Sequence, residues 1–456
     1  MKLESVDKLS NDKKGGLSLL WLGPLVIFAL LAVAALKLYE MELPQVSILT
    51  DVSRFGANKA VDVAVSDSKS GVREITVTLV QGEKQLQLYH KQYTGDGILV
   101  SGPARVEEKF VVDTPSLGLA EGSAQLVVTA RDFSWWQWRT GNMAETSFPV
   151  VIDTQAPKVR VTASPTYIKA GGAGIVVYRL SEAAVRHGVT INEDFNPGFP
   201  LPALGEHVYG ATIGIRYDTE KIKEAYVAAT DQAGNEGRAG FGMILRRSPK
   251  KFDRINISDG FLARKLPEFA AHNTKLSGEP LEEYLVINNQ VRQENNKRIA
   301  EVCSSSVPER LWRGTFGRMG RSSRKAGYAD YRTYYYNDRE IDKQVHLGID
   351  LASTKHAKVG AANRGKVVFA DYLGIYGNAV IVDHGMGIFS LYSHLSHMDV
   401  KVGDMVERDD SLGQTGTSGM AGGDHLHFSM LVNGVFVNPL EWWDPHWLKL
   451  NIESYL

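Results

Sequence analysis

Eight of the chain's twelve histidines fall at or after His346: that residue, His356, His384, His394, His397, His425, His427 and His446. Imidazole crowded into one part of a β-rich chain points to metal ligation or acid–base chemistry. Histidine titrates near neutrality and offers a neutral nitrogen to a metal. In His346-Leu347-Gly348-Ile349-Asp350 an imidazole and a carboxylate stand four residues apart. Val345, Leu347, Ile349 and Leu351 alternate with His346, Gly348 and Asp350 as they would in a strand. A straight strand would hold the pair ~13 Å apart, four rises of about 3.3 Å, too far to share an ion. The chain must bend between them, and Gly348 is the residue that permits it. His346 is expected on the approach to a strand and Asp350 within it.

A second element is Asp424-His425-Leu426-His427-Phe428. In a strand, His-x-His turns both rings to one face and sends Leu426 and Phe428 to the core. A third, Leu391-Tyr392-Ser393-His394-Leu395, follows Ala379-Val380-Ile381-Val382-Asp383-His384-Gly385. His346, Asp350 and one of His425 and His427 can supply nitrogen, oxygen and nitrogen to one ion. Three protein ligands with an open position are the pattern of a catalytic zinc, with Zn–N distances expected at ~2.0–2.1 Å. A closed structural site would need a fourth ligand. The chain's one cysteine, Cys303, cannot build a Cys-rich cluster and is expected as a packed or half-exposed residue ending a helix. Zinc brings the pKa of its bound water to about 7, and the remaining histidines can move protons and steady an oxyanion.

These elements together resemble the catalytic domain of the lysostaphin/LytM-type zinc metallopeptidases. The resemblance runs from about Lys343 to Trp443 and rests on five blocks in order. They are His346-Leu347-Gly348-Ile349-Asp350, Tyr392-Ser393-His394-Leu395-Ser396, Gly413-Gln414-Thr415-Gly416-Thr417-Ser418-Gly419, Asp424-His425-Leu426-His427-Phe428 and Val437-Asn438-Pro439. The resemblance implies an antiparallel β domain of the duplicated hybrid motif type. It implies His346, Asp350 and His427 as ligands of Zn2+, and His394 and His425 as the pair that polarises water and steadies the tetrahedral intermediate. Relatives that lack ligands serve as activators of other wall hydrolases, so the complete set implies an active enzyme. Relatives often carry Phe-Gly-x-Arg ahead of the first histidine; here Gly327-Tyr328-Ala329-Asp330-Tyr331-Arg332 stands in that region, followed by Tyr334-Tyr335-Tyr336. The family's substrate is peptidoglycan, cut in its stem peptides or cross-bridges. His356, His384, His397 and His446 have no counterpart and are expected to be structural or exposed.

The rest of the chain must carry and place that domain. At 456 residues it holds about three domains. Lys+Arg 51 against Asp+Glu 52 gives a net charge of −1, without the basic excess of a nucleic-acid binder. A hydrophobic content of 43% excludes a charged disordered chain, and a mean hydropathy of −0.18 excludes a polytopic membrane protein. Leu17 to Leu36 runs without a charge behind Lys13 and Lys14. About twenty apolar residues span a bilayer, and positive flanks stay cytoplasmic. The alternative is a cleaved signal peptide with Ala32-Val33-Ala34 as its site.

Period-two runs such as Val61-Asp62-Val63-Ala64-Val65 and Glu74-Ile75-Thr76-Val77-Thr78-Leu79-Val80 follow. Leu126 to Asp132 and Ala225 to Asp231 form matching late strands that end in Asp. They resemble two bacterial Ig-like β-sandwiches. Apolar residues at three-to-four spacing from Leu281 to Val302 predict helices.

The expected organisation is a mainly β chain. Residues 1–16 form a cytoplasmic N-terminus, 17–37 a transmembrane anchor, 41–155 and 156–248 two Ig-like domains, 249–310 a helical linker, 311–445 the metallopeptidase domain and 446–456 a tail. Function is expected to be zinc-dependent endopeptidase action on peptidoglycan from a single-pass inner-membrane anchor, with a periplasmic catalytic domain. Envelope proteins are the expected partners of the Ig-like modules. The alternatives are a catalytically silent activator of another wall hydrolase and a protease of envelope proteins.

Overall fold

The structure, a computed structural model, describes residues 22–96, 101–136, 140–272 and 276–456. Of the expected anchor, residues 17–21 lie outside the described residues, as do 1–16. The described part forms a helix, Leu22–Leu38, of 17 residues. No described helix is long and apolar enough to cross a membrane, so the anchor expected over 17–37 is not supported by the described residues.

The chain divides into two compact units. Residues 1–155 and 232–235 form one, and residues 156–231 and 236–456 form the other. In the first unit, period-two sequences pair into two sheets, antiparallel but for the short strand Arg54–Phe55, which runs parallel to Met143–Ile152. One orders Gln45–Ile48, Asn58–Ser66 and Arg105–Asp113; the other orders Arg54–Phe55, Met143–Ile152, Gly122–Asp132, Val72–Gln81 and Lys84–Gln92. Alternate residues of both sheets meet in one core: Val61, Val63 and Val65 from the first, Ile75, Val77, Leu79, Leu126 and Val128 from the second.

The second unit contains another pair of four-stranded sheets and a C-terminal β domain. The key element is strand Ala173–Leu180, whose sequence AGIVVYRL is a nearly unbroken apolar run. One face, with Val176, Tyr178 and Leu180, fills the core between its own two sheets. The other face, with Ala173, Ile175 and Val177, enters a second core built from Trp312, Ile349, Leu351, Val437 and Trp442. A strand apolar on both faces is one buried on both faces. The sheets of 159–240 and the C-terminal domain therefore share a hydrophobic core.

The C-terminal sheet orders Ser323–Ala326, Ile349–Ala352, Leu426–Val432, Ile388–Met398, Asn378–Asp383, Gly365–Tyr372 and Met405–Val406. It too is covered twice. In strand Ile388–Met398, Ile388, Tyr392 and Leu395 face the first cover. Phe389 and Leu391 face a second one, formed by helices Asp259–His272, Pro280–Val286 and Arg292–Val302. A π-helical turn, Ile287–Val291, joins the last two. The stretch expected as a helical linker also contributes a strand, Lys251–Ile257, parallel to Asp330–Tyr336, which pairs antiparallel with Arg339–His346. Cys303 caps the C-terminus of Arg292–Val302 and is buried at 2% exposure.

Glu441 sits where the two parts of the second unit meet, accepting the Ala173 amide at 3.1 Å. Burial pushes its pKa up from 4.5 to about 7, against the pull of the Ala173 amide and Lys169. A carboxyl with a raised folded pKa binds its proton more tightly in the folded state. Its stability contribution is full below about pH 4.5 and is lost as pH climbs through 7. Glu441→Gln should therefore leave stability at pH 5 nearly unchanged and raise it at pH 8 by on the order of 2 kcal/mol, read by urea unfolding at the two pH values.

Candidate metal centre

Register builds the site. Asp350 stands directly opposite His427 across the antiparallel pair Ile349–Ala352 and Leu426–Val432, and His427 stands opposite Ser393 on the next strand. Strand Arg339–His346 ends on His346, on the approach to the strand Ile349–Ala352 that holds Asp350. The chain then bends through Leu347-Gly348 before Ile349. The bend closes the gap: His346 Nε2 lies 2.9 Å from Asp350 Oδ1 and 2.9 Å from His427 Nδ1, and His427 Nδ1 lies 3.0 Å from Asp350 Oδ1. All three side chains are buried. Gly348 has a second duty, because a Cβ there would fall 2.5 Å from His427 Nε2 and 2.6 Å from Ser429 Oγ.

The far side of each ligand candidate is tied down, and the ties fix its tautomer. His346 Nδ1 donates to the Gly327 carbonyl at 2.7 Å, which leaves Nε2 a lone pair. Ser429 Oγ donates to the Leu347 carbonyl at 2.9 Å and therefore accepts from His427 Nε2 at 3.1 Å, which leaves Nδ1 a lone pair. Arg332 Nη2 holds Asp350 Oδ2 at 3.1 Å, leaving Oδ1 toward the imidazoles. Burial acts to raise the Asp350 pKa, but positive charge at His346 and donation from its neighbours outweigh it and hold the carboxyl well below the usual range, so the carboxylate calls for a cation in this pocket. Burial holds His427 at about 4. Two imidazole lone pairs and a carboxylate oxygen thus converge within 4.8 Å of one another. Such an arrangement is repulsive by itself and fits a cation. Nitrogen–oxygen–nitrogen donors without thiolate suit a catalytic zinc.

His394 and His425 stand beside the trio. Asn378 pairs with Leu395 and Val380 with Tyr392, so Ser393 and His394 both stand opposite Ala379. That bulge, with His394 at φ +63°, re-aims its ring. The His394 ring centroid is 4.9 Å from that of His425 and 5.8 Å from that of His427. His394 Nδ1 donates to Ser418 O at 2.8 Å, leaving Nε2 a lone pair. Burial and the adjacent histidines hold its pKa well below 6.5. His425 Nδ1 donates to Gly423 O at 2.7 Å, and its Nε2 lies 3.5 Å from Asp350 Oδ1. Burial works against the His425 proton, but Asp350 holds the pKa above 6.5.

The five side chains open into a cleft of about 370 Å³ whose other walls include Tyr217, Asn288, Arg292, Asn296, Arg332 and Tyr376. Tyr376 sets its ring edge-on to His427 and donates to Asn296 Oδ1 at 2.9 Å. Of the other histidines, His384 is fully buried, with Nδ1 donating to Arg364 O. His356, His397 and His446 are exposed. Sequence reasoning singled out the stretch holding Arg332 only as a departure. It missed Ser429, which period two places on the same strand face as His427, and the Gly327 carbonyl, which no side-chain pattern announces.

Metal-ligating histidines lose about 10–100-fold in metal affinity when the group orienting them is removed. Ser429→Ala should weaken zinc binding by that factor in competition with a chromophoric chelator. Gly348→Ala, whose methyl collides with the His427 ring, should weaken it further.

Residues 344–439 match Peptidase family M23. DD-carboxypeptidase/endopeptidase Mpg of Neisseria meningitidis serogroup B is 37% identical over 97 residues, 21% of this chain and 22% of the relative. Peptidoglycan DD-endopeptidase ShyC of Vibrio cholerae is 33% identical over 96 residues, 21% and 22% of the two chains. Murein hydrolase activator EnvC of Escherichia coli is 35% identical over 95 residues, 21% and 23%. The match thus spans about a fifth of the length of each of these curated relatives. The segment that brings His346, Asp350, His394, His425 and His427 to one cleft is a peptidase family M23 domain.

Proposed function

We propose that this chain is a zinc-dependent endopeptidase that hydrolyses peptide cross-links of peptidoglycan. The observation that carries the reading is the convergence of two imidazole lone pairs and one carboxylate oxygen beside two further histidines. A relative named as a peptidoglycan DD-endopeptidase supports the substrate class. Zinc held by His346 Nε2, Asp350 Oδ1 and His427 Nδ1 would supply the Lewis acidity that amide hydrolysis needs. His394, neutral and with its proton committed to Ser418 O, offers Nε2 to take a proton from an attacking water. His425, with its proton favoured by Asp350, offers Nε2–H to the oxygen that gains charge at the scissile carbonyl. Two imidazoles pushed in opposite directions divide the acid and base roles.

Arg292 gives the cleft a preference. It is aimed by the π-helical turn before it, a feature frequent at functional sites. It bonds only to Asn288, at O (3.0 Å) and Oδ1 (2.5 Å), and pairs with no carboxylate among the described residues. A cation in such a wall suits a stem peptide bearing a carboxylate. Arg292→Gln should raise KM for carboxylate-bearing cross-linked peptides by about tenfold or more, with kcat little changed and amidated peptides unaffected.

The uncharged stretch 17–36, and the outward apolar side chains Leu25, Phe28 and Leu30, support a tether to the inner membrane with the M23 domain in the periplasm. The β modules ahead of that domain would then act as Ig-like spacers or as docking sites for envelope proteins. A silent activator is the competing reading, since a relative is named as one. Incubation with purified sacculi decides between them. New uncross-linked stem peptides, seen by mass spectrometry and abolished by chelation and by His346→Ala, are expected. Intact sacculi under zinc-replete conditions would leave the activator.

A further inference from the structure

Far from the histidines in sequence, the first unit brings three carboxylates together. Glu40 precedes its first strand, Asp67 follows strand Asn58–Ser66, and Asp132 ends strand Gly122–Asp132. They are 5%, 6% and 0% exposed, and one oxygen from each lies within 4.8 Å of the other two. The main chain orients every one of them. Asp67 Oδ1 accepts from Lys69 N at 3.1 Å and Gly71 N at 2.8 Å. Asp132 Oδ1 accepts from Ser134 N at 3.0 Å and Asn142 N at 2.7 Å. Glu40 Oε1 accepts from Ser70 N at 3.0 Å and Ser70 Oγ at 2.6 Å. Glu40 itself is fixed by its carbonyl, which receives Ser134 Oγ at 3.0 Å and Asn142 Nδ2 at 3.1 Å.

One oxygen of each carboxylate is therefore spent on amides, and the second has no backbone donor. Asp132 Oδ2 takes Asn142 Nδ2 at 2.9 Å. Glu40 Oε2 is buried and has no hydrogen-bond partner among the described residues. Among the described residues the cation paired with it is Lys69, whose ammonium stays 3.8 Å from that oxygen and is drawn to the exposed Glu42 at 2.7 Å. A buried carboxylate oxygen without a donor costs several kcal/mol unless a charge balances it. One half-exposed lysine does not balance three acids. Burial raises the pKa of Glu40 and Asp132, as expected of acids packed without their counter-ion.

We propose that Glu40, Asp67 and Asp132 form a calcium site. The donors are all oxygen, with no imidazole or thiolate, which favours a hard cation over zinc. Calcium accepts three carboxylates and completes its six to eight ligands with carbonyls and water. It would tie Glu40, ahead of the first strand, to Asp67 and Asp132 at the ends of two others.

The test is calcium titration of the full metal-stripped chain by calorimetry and thermal unfolding. His346→Ala serves as the background, so that the histidine centre contributes no heat. One calcium per chain is expected, with a rise in the unfolding temperature. Glu40→Gln and Asp67→Asn, which keep an oxygen for the same amide donors, should weaken binding at least tenfold and abolish the calcium-dependent rise. Their unfolding temperature without calcium should be no lower than that of the His346→Ala chain. The proposal is overturned if that chain takes up no calcium tighter than about 1 mM, the weak end for extracellular modules. It is equally overturned if both variants bind as well as their parent, or if they lower stability to the same degree with and without calcium, as a purely structural hydrogen-bonding role would.

Discussion

Lone pairs that face one another set the terms for the catalytic domain. His346 Nε2, His427 Nδ1 and Asp350 Oδ1 stand about 3 Å apart, yet each has been deprived of the proton or donor that would relieve the contact. The Gly327 carbonyl claims the proton of His346, Ser429 claims that of His427, and Arg332 claims the other oxygen of Asp350. Groups held in this way cannot relax by rotating without breaking a buried hydrogen bond, which costs about 1–3 kcal/mol each. The favourable partner for the arrangement is a cation, and the surrounding fold has to be stiff enough to keep the three donors in place before one arrives.

That stiffness has a visible source. The sheet bearing Asp350, His394 and His427 is packed on both faces. Trp312 and Trp442 lie in one cover; Phe269, Tyr284 and Ile299 lie in the other. Close-packed interiors deform little, so residues set by strand register stay set. The strain is local. His394 holds a left-handed backbone, which costs roughly 1–2 kcal/mol for a residue with a Cβ, and Gly348 is needed because no side chain fits beneath His427. Helix Asp259–His272 stabilises the loop that holds His394: Lys265 Nζ donates to Thr417 O, and Glu268 accepts the Gly419 amide at 2.6 Å.

Much of this was legible in the residues. The alternation around His346 required a bend at Gly348, and the structure bends there. The alternation around His427 required Leu426 and Phe428 to be core, and both are 2% exposed. Less legible were features that depend on partners distant in sequence. A carbonyl such as Gly327 O has no side-chain signature. Arg332 lies in a stretch set apart only because it departed from a motif. The run Ala173–Leu180 carried the sign of double burial in its unbroken hydrophobicity. Its second partner, however, lies more than a hundred residues away, so the pattern could not say what covers it. Helical periodicity in 281–302 was readable, but the π-helical turn within it was not, because that turn is a change of hydrogen-bond register rather than of composition.

The separation between a rigid centre and its walls bears on specificity. The donor trio is fixed by main-chain carbonyls and by packing, so it has little capacity to distinguish one peptide from another. Part of the cleft wall is drawn from elsewhere in the chain: Tyr217 from the turn after strand Val208–Gly214, Asn288, Arg292 and Asn296 from the helices of 280–302, and Arg332 and Tyr334 from strand Asp330–Tyr336. All six lie outside the 344–439 segment matched by the family, while Tyr376, Met420 and Gly422 line the cleft from within it. The cleft is thus lined jointly by the family segment and by parts of the chain outside it. The segment that is similar to wall hydrolases speaks to the reaction. On the proposed reading, the segments outside it that line the cleft would limit which substrate reaches an ion held by the trio, and there the similarity offers no guide.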